Sequence, residues 1–133
     1  QEIRSWLMKV ASLEIVGNIS PHKERTTYKL KLGKTDKLKL GADYALLDRL
    51  DQALAIFRQV AGKSKKNEDR ASAIYNQGVI HEVRGDLKKA FSAYRAAIQL
   101  HPEELMYPEA VTRIEGEIIK TAILKSQMEE IRE

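Results

Sequence analysis

The hydrophobic positions follow a helical period in four consecutive segments between residues 36 and 100. The clearest interruption is Gly85-Asp86, because glycine suits the left-handed residue that ends a helix and aspartate can cap the next one. Helix, two-residue turn and helix make an antiparallel hairpin. It should end at His101-Pro102, because a residue before proline is disfavoured in the α region. The positions that carry the period are Ile74, Tyr75, Gly78, Val79 and His81 before the turn, and Leu87, Ala90, Phe91, Tyr94, Ala97 and Ile98 after it.

An earlier hairpin of the same design is predicted by comparing the chain with itself. It consists of helices Asp36–Leu47 and Leu50–Ala61, with Asp48-Arg49 at the turn and a polar connection, Gly62–Asn67, after it. Small residues recur where the paired helices approach each other, and an aromatic residue fills the space beside them. At a shift of 37 residues the matching pairs are Gly41 with Gly78, Tyr44 with His81, Leu50 with Leu87, Ala53 with Ala90, and Phe57 with Tyr94.

A long last helix is predicted to begin at Tyr107-Pro108 and to end near Ile131, since proline is favoured at a first helical position. Its apolar sector contains Val111, Ile114, Ile118 and Ala122 and is widened by Ile119, Ile123 and Leu124. We expect it to cover the exposed face of the second hairpin, as terminal helices of repeat arrays do. Packing on another subunit or on a missing domain is the alternative that the wide sector leaves open.

The first 33 residues carry two conflicting periods. Ile3, Trp6, Leu7, Val10 and Leu13 form a helical stripe, which predicts a helix from Glu2 to about Ile15 and then an extended basic linker, with Trp6 as a core anchor. Residues 12–16 and 28–32 also alternate as strands do, so a small β element stays open as the alternative.

The two hairpins resemble the tetratricopeptide repeat. The positions that carry the resemblance are Gly78, Ala90, Tyr94, Ala97 and Pro102 in the second hairpin, and Gly41, Tyr44, Ala53 and Phe57 in the first. Ile74 and His81 depart from the usual aromatics, and the first hairpin lacks the closing proline. The resemblance implies an all-α fold, an α-solenoid of antiparallel helix hairpins with a long C-terminal capping helix. The segments would be 1–33 (N-terminal helix and linker), 34–67 (repeat 1), 68–104 (repeat 2) and 105–133 (cap).

In that family the first helices of the repeats line a concave groove. The resemblance therefore implies a protein–protein interaction scaffold that binds a peptide or helix of a partner there, and it implies no cofactor. We expect Tyr75 and Asn76 to make the main contacts, because an asparagine side chain can both donate to and accept from a peptide backbone. A clamp for a terminal carboxylate, known in one subclass, is rejected because Leu38 and Ala42 replace its polar residues. The expected groove residues are Leu38, Ala42, Tyr75, Asn76, Val79 and Glu82.

Charge suggests an alternative function. The net charge is +4, and residues 20–40 contain seven Lys/Arg against two acids. This segment could contact nucleic acid or another anionic surface, but Tyr28 is its one aromatic residue, so a base-stacking platform is poorly supported and nucleic acid is not the expected partner. A structural role through self-association of the last helix is a further alternative.

Catalytic chemistry is not indicated. There is no cysteine, and His22, His81 and His101 share no metal-ligand spacing, so we expect no enzyme and no metal site.

Hydrophobic residues make up 43% and charged residues 32%, which favours a soluble globular domain, and no apolar run is long enough to span a membrane. The chain begins at Gln1 rather than methionine, so we expect a fragment from which a targeting signal could have been removed. The lack of cysteine slightly favours the cytoplasm.

Overall fold

Five helices follow a two-stranded sheet in the computed structural model, which describes residues 10–15, 26–33 and 35–132. The prediction of a predominantly helical fold is confirmed for this part of the chain. The elements are β1 (Val10–Ile15), β2 (Thr26–Lys31), α1 (Asp36–Leu46), α2 (Leu50–Lys63), α3 (Asn67–Val83), α4 (Leu87–Leu100) and α5 (Met106–Arg132).

The N-terminal helix expected to reach Ile15 is contradicted for residues 10–15, which form a strand. β1 pairs antiparallel with β2, and the register places Val10 opposite Lys31 and Ile15 opposite Thr26. Both segments alternate in sequence, and pairing gives each strand the backbone hydrogen bonds that an extended linker would lack. The fold therefore adds a small sheet to the all-α class that the sequence indicated. The remainder of the expected helix, including Trp6, lies outside the described residues.

Both hairpins contain the same close contact between a glycine and an aromatic ring. A Cβ added at Gly41 would lie 2.5 Å from Cε1 of Phe57, and one added at Gly78 would lie 2.6 Å from Cε1 of Tyr94. Both rings are fully buried. Only glycine lets the first helix approach the second this closely, which explains why a poor helix former stands inside α1 and α3.

The turns inside the two hairpins also share one backbone geometry. Asp48 has a φ of 61° and Gly85 a φ of 83°, so both lie in the left-handed region. In each turn a backbone N–H closes the helix end by the same bond: Arg49 N–H donates to the Tyr44 carbonyl at 2.9 Å, and Asp86 N–H to the His81 carbonyl at 2.8 Å.

The helix α5 covers the second hairpin with its first third only. Tyr107, Ala110 and Ile114 are buried in the common core. Beyond residue 114 the helix is exposed at every position up to 131, apart from the half-buried Ile118. These 17 residues span about 25 Å of helix at 1.5 Å per residue. The expected cap is therefore short, and a long, partly apolar helical segment remains largely exposed.

Candidate functional site

The strand β2 lies along the central helix α3, on the face where the sequence predicted a partner-binding groove. Asn76 holds it at Lys31: the Lys31 N–H donates to Asn76 Oδ1 and Asn76 Nδ2 donates to the Lys31 carbonyl, both at 2.8 Å. The Tyr75 hydroxyl donates to the Lys29 carbonyl at 2.8 Å. Tyr75 and Asn76, hereafter the backbone clamp, thus bind main-chain atoms of alternate residues on one edge of β2.

The expectation of an open groove has to be corrected. Asn76 is fully buried and Tyr75 is 3% exposed, because β2 occupies the space in front of them. Leu38, Ala42 and Val79 belong to the hydrophobic core, where α1 and α3 pack together and Leu30 of β2 joins them. The side-chain chemistry expected of Asn76 is present, but its ligand in this structure is a segment of the same chain.

Lys31 also fixes β2 through its side chain. Its ammonium group lies 2.8 Å from Glu104 Oε1 and 5.2 Å from the centre of the Tyr107 ring. Its side chain is 12% exposed, so this ion pair is shielded from water on the Lys31 side. Leu30, the preceding residue, is fully buried. An apolar side chain and a cation at adjacent positions therefore anchor β2 on its two faces.

Three tyrosine rings form a continuous layer behind the clamp. The Tyr75 ring centre lies 5.3 Å from that of Tyr94 and 5.2 Å from that of Tyr107. Burial raises the pKa of all three hydroxyls above the ordinary value, and for Tyr94 the nearby Glu82 carboxylate adds to the effect. The three hydroxyls are therefore neutral near pH 7, and the layer is suited to packing beneath β2 rather than to proton transfer.

Glu82 was expected in the groove, but its buried carboxylate instead forms an ionic network with Arg113, whose side chain is about half exposed. The Glu82 side chain is 8% exposed. It accepts a 2.6 Å hydrogen bond from the Tyr94 hydroxyl and a hydrogen bond from Arg113 of α5. This network joins the second hairpin to α5, and it explains why an acid can stand on an inward face.

A cavity of about 620 Å³ opens beside the clamp, between β2, the start of α3 and the α4–α5 connection. It is lined by charges of both signs. The imidazole of His101 lies at its wall and has a buried Nδ1 without a hydrogen-bond partner among the described residues. The charged lining residues are Lys29, Lys31 and Lys66, and Glu68, Asp69, Glu103, Glu104 and Glu109.

The basic segment 20–40 is not a single surface where the structure describes it. Lys29 and Lys31 lie on β2, with Lys31 paired to Glu104, whereas Lys37 and Lys39 are exposed on α1. Residues 20–25 and Lys34 lie outside the described residues.

Two further observations concern the described chain as a whole. It contains no cluster of three or more histidine, cysteine, aspartate or glutamate side chains that could hold a metal ion. None of its helices combines the length and apolar character needed to cross a bilayer.

The architecture is that of a helix-hairpin protein with a strand of its own bound against its central helix. A family model described as a domain of unknown function, DUF6340, matches residues 39–121. The match covers more than half of the chain, which therefore belongs to this family. The backbone clamp and the Glu82–Arg113 network lie inside the matched range, and β2 lies before it. No curated protein and no solved structure matches the chain.

Proposed function

We propose that this chain is a protein-interaction module in which α1–α2 and α3–α4 are repeats of tetratricopeptide type. It acts as a binding scaffold rather than as an enzyme, and the face of α3 that carries the backbone clamp is its binding face. A partner protein would contact the module there, at the cavity beside the clamp.

The observation that carries the proposal is the bidentate bond between Asn76 and the Lys31 backbone. An amide side chain that satisfies both N–H and C=O of one residue recognises an extended polypeptide whatever its side chains are. The repeat assignment is supported by the equivalent contacts of Gly41 with Phe57 and of Gly78 with Tyr94, and by the equivalent turns at Asp48 and Gly85.

Site-specific photo-crosslinking in cells that produce the protein would test this function. A photoreactive residue at Lys29 or Glu103 places the probe at the cavity, and both positions are exposed. Lys88, which is exposed on α4 and does not line the cavity, is the matched control. Protease-sensitive adducts from the two cavity positions and none from Lys88 are expected. Equal adducts from all three positions, or nucleic-acid adducts alone, would refute the proposal.

Self-association through α5 is a second candidate function. It is favoured by residues 115–131 of that helix, which are exposed apart from the half-buried Ile118. Ile119, Ile123 and Leu124 are 60%, 53% and 52% exposed, which is unusual for clustered aliphatic side chains. An antiparallel pair of these helices centred near Leu124 would bring Lys120 of one copy beside Glu129 of the other. Light scattering of the intact protein should then give a dimer mass that Ile119→Lys with Ile123→Lys reduces to the monomer. The control Thr121→Lys should leave the dimer intact, and a monomer at every concentration would eliminate this candidate.

A further inference from the structure

The strand β2 is bound to α3 in the manner of a peptide ligand. In an antiparallel sheet, the backbone N–H and C=O groups of consecutive residues point to opposite edges of the strand, so those of residues i and i+2 share an edge. Lys29 and Lys31 direct theirs to the backbone clamp, so the edge formed by Tyr28 and Leu30 is the one that faces β1. Every hydrogen bond that the clamp makes to β2 ends on a main-chain atom.

The side chains of β2 define what the groove selects. Leu30 is fully buried among core residues, and the Lys31 ammonium group reaches Glu104 and the face of Tyr107. The site therefore combines a sequence-independent backbone clamp with one apolar pocket and one cation pocket at adjacent positions. An extended segment in which an apolar residue precedes lysine or arginine satisfies all three.

The strand β2 can also leave the α3 groove while the helices stay folded. A hairpin of two strands has marginal stability by itself, so β1 and β2 depend on the groove. Only residues 32–35 connect β2 to α1, so β2 is held near the groove at a high effective concentration. When β2 leaves, Asn76 and Tyr75 still present donors and an acceptor at the spacing of an extended backbone.

We propose that the α3 groove is an exchangeable receptor for an extended partner segment carrying an apolar residue followed by a cation, and that β2 is its resident intramolecular ligand. The inference rests on the proposed function and specifies its partner. Because β2 competes for the groove, the apparent affinity for the partner equals the intrinsic affinity multiplied by the fraction of molecules whose groove is empty. A substitution that weakens β2 must therefore strengthen binding of the partner segment.

Binding of a labelled peptide with the sequence of residues 26–33 to the full chain tests this consequence. Leu30→Ser in the protein weakens the resident strand and changes no residue of the helices. We expect the peptide to bind this variant at least about tenfold more tightly than it binds the unaltered protein. The same peptide with serine in place of its leucine should lose that gain.

A second pair of variants tests whether the peptide binds in the α3 groove. Asn76→Asp keeps the size of the side chain but removes the donor to the backbone carbonyl, and in the Leu30→Ser background it should abolish peptide binding. Gln77→Glu makes the same amide-to-carboxylate change one residue along, outside the clamp, and should retain it. A Leu30→Ser protein that keeps its helical circular dichroism but fails to bind millimolar peptide would overturn the inference. So would equal binding by the Asn76→Asp and Gln77→Glu forms.

Hydrogen exchange of the unaltered protein tests whether β2 leaves the groove, even where Leu30→Ser fails to fold. The amide of Lys31 should exchange at least about tenfold faster than that of Val79 in the core of α3, because β2 opens without global unfolding. Excess peptide should accelerate Lys31 further and leave Val79 unchanged. Equal rates for the two amides would overturn the inference. A partner cross-linked at Lys29 while Lys31 stays protected would also overturn it and would leave the proposed function standing.

Discussion

Replacement of Gly78 by alanine tests the close approach of α3 and α4. The added Cβ would lie 2.6 Å from Cε1 and 2.8 Å from Cδ1 of Tyr94, about 1 Å inside ordinary carbon–carbon contact. The ring cannot retreat easily, because Tyr94 is fully buried and its hydroxyl is bonded to Glu82. Such overpacking costs about 1–3 kcal/mol. Alanine regains about 1 kcal/mol through its better helix propensity, so the free energy of unfolding should fall by up to about 2 kcal/mol.

The same substitution at Gly116 of α5 is the matched control. No atom lies within 4 Å of a Cβ added there, so Gly116→Ala should raise the free energy of unfolding by about 0.5–1 kcal/mol. Urea unfolding followed by circular dichroism measures both variants at neutral pH. Gly78→Leu, with a larger side chain, should be destabilised far more than Gly78→Ala. If Gly78→Ala gained stability as Gly116→Ala does, the steric explanation for the glycine would be wrong.

Further expected outcomes concern the buried polar network and are measured by the same urea unfolding. Tyr94→Phe removes the bond to the Glu82 carboxylate and should cost about 1.5–3 kcal/mol; an unchanged midpoint would contradict this bond. Arg113→Met leaves the buried Glu82 carboxylate without its cation and should destabilise the protein by about 1–3 kcal/mol. Adding Glu82→Gln removes that unpaired charge and should recover part of the loss. Burial raises the pKa of Tyr75, Tyr94 and Tyr107, so the unfolded chain loses these protons at lower pH than the folded chain. Stability should thus be fully present below about pH 10 and fall above it by up to about 1.4 kcal/mol per pH unit for each tyrosine, and a flat profile to pH 11 would contradict the burial.

The helices could be predicted from the sequence because local signals define them. Gly85-Asp86 and His101-Pro102 end helices through backbone preferences that act within a few residues, and the observed helices α3 and α4 end at Val83 and Leu100. The internal duplication at a shift of 37 residues matches Gly41 with Gly78 and Phe57 with Tyr94, and it thus predicts the same packing of a small residue beside an aromatic ring in both hairpins.

The sheet and the ionic network could not be predicted because residues far apart in sequence create them. Asn76 and Lys31 are 45 positions apart, and Glu82 and Arg113 are 31 apart. The helical stripe favoured a helix up to Ile15, although residues 12–16 also alternate as a strand does, and the strand observed at residues 10–15 depends on pairing with β2. One signal in the sequence argued against placing Glu82 in an open groove. A carboxylate on an inward helix face requires a cation, and Arg113 of α5 supplies it.

Asp48 gives the two hairpins unequal intrinsic strength. It adopts the left-handed conformation that glycine adopts freely at Gly85, and a residue with a Cβ pays about 1 kcal/mol for it. In an array of stacked units, each unit is stabilised by its own energy and by its neighbours, so the weaker terminal unit frays first. We therefore expect denaturation to begin at α1–α2 and to pass through a species in which α3, α4 and the start of α5 remain folded. The resident strand, tethered to α1, would be released in that species before the rest of the chain melts.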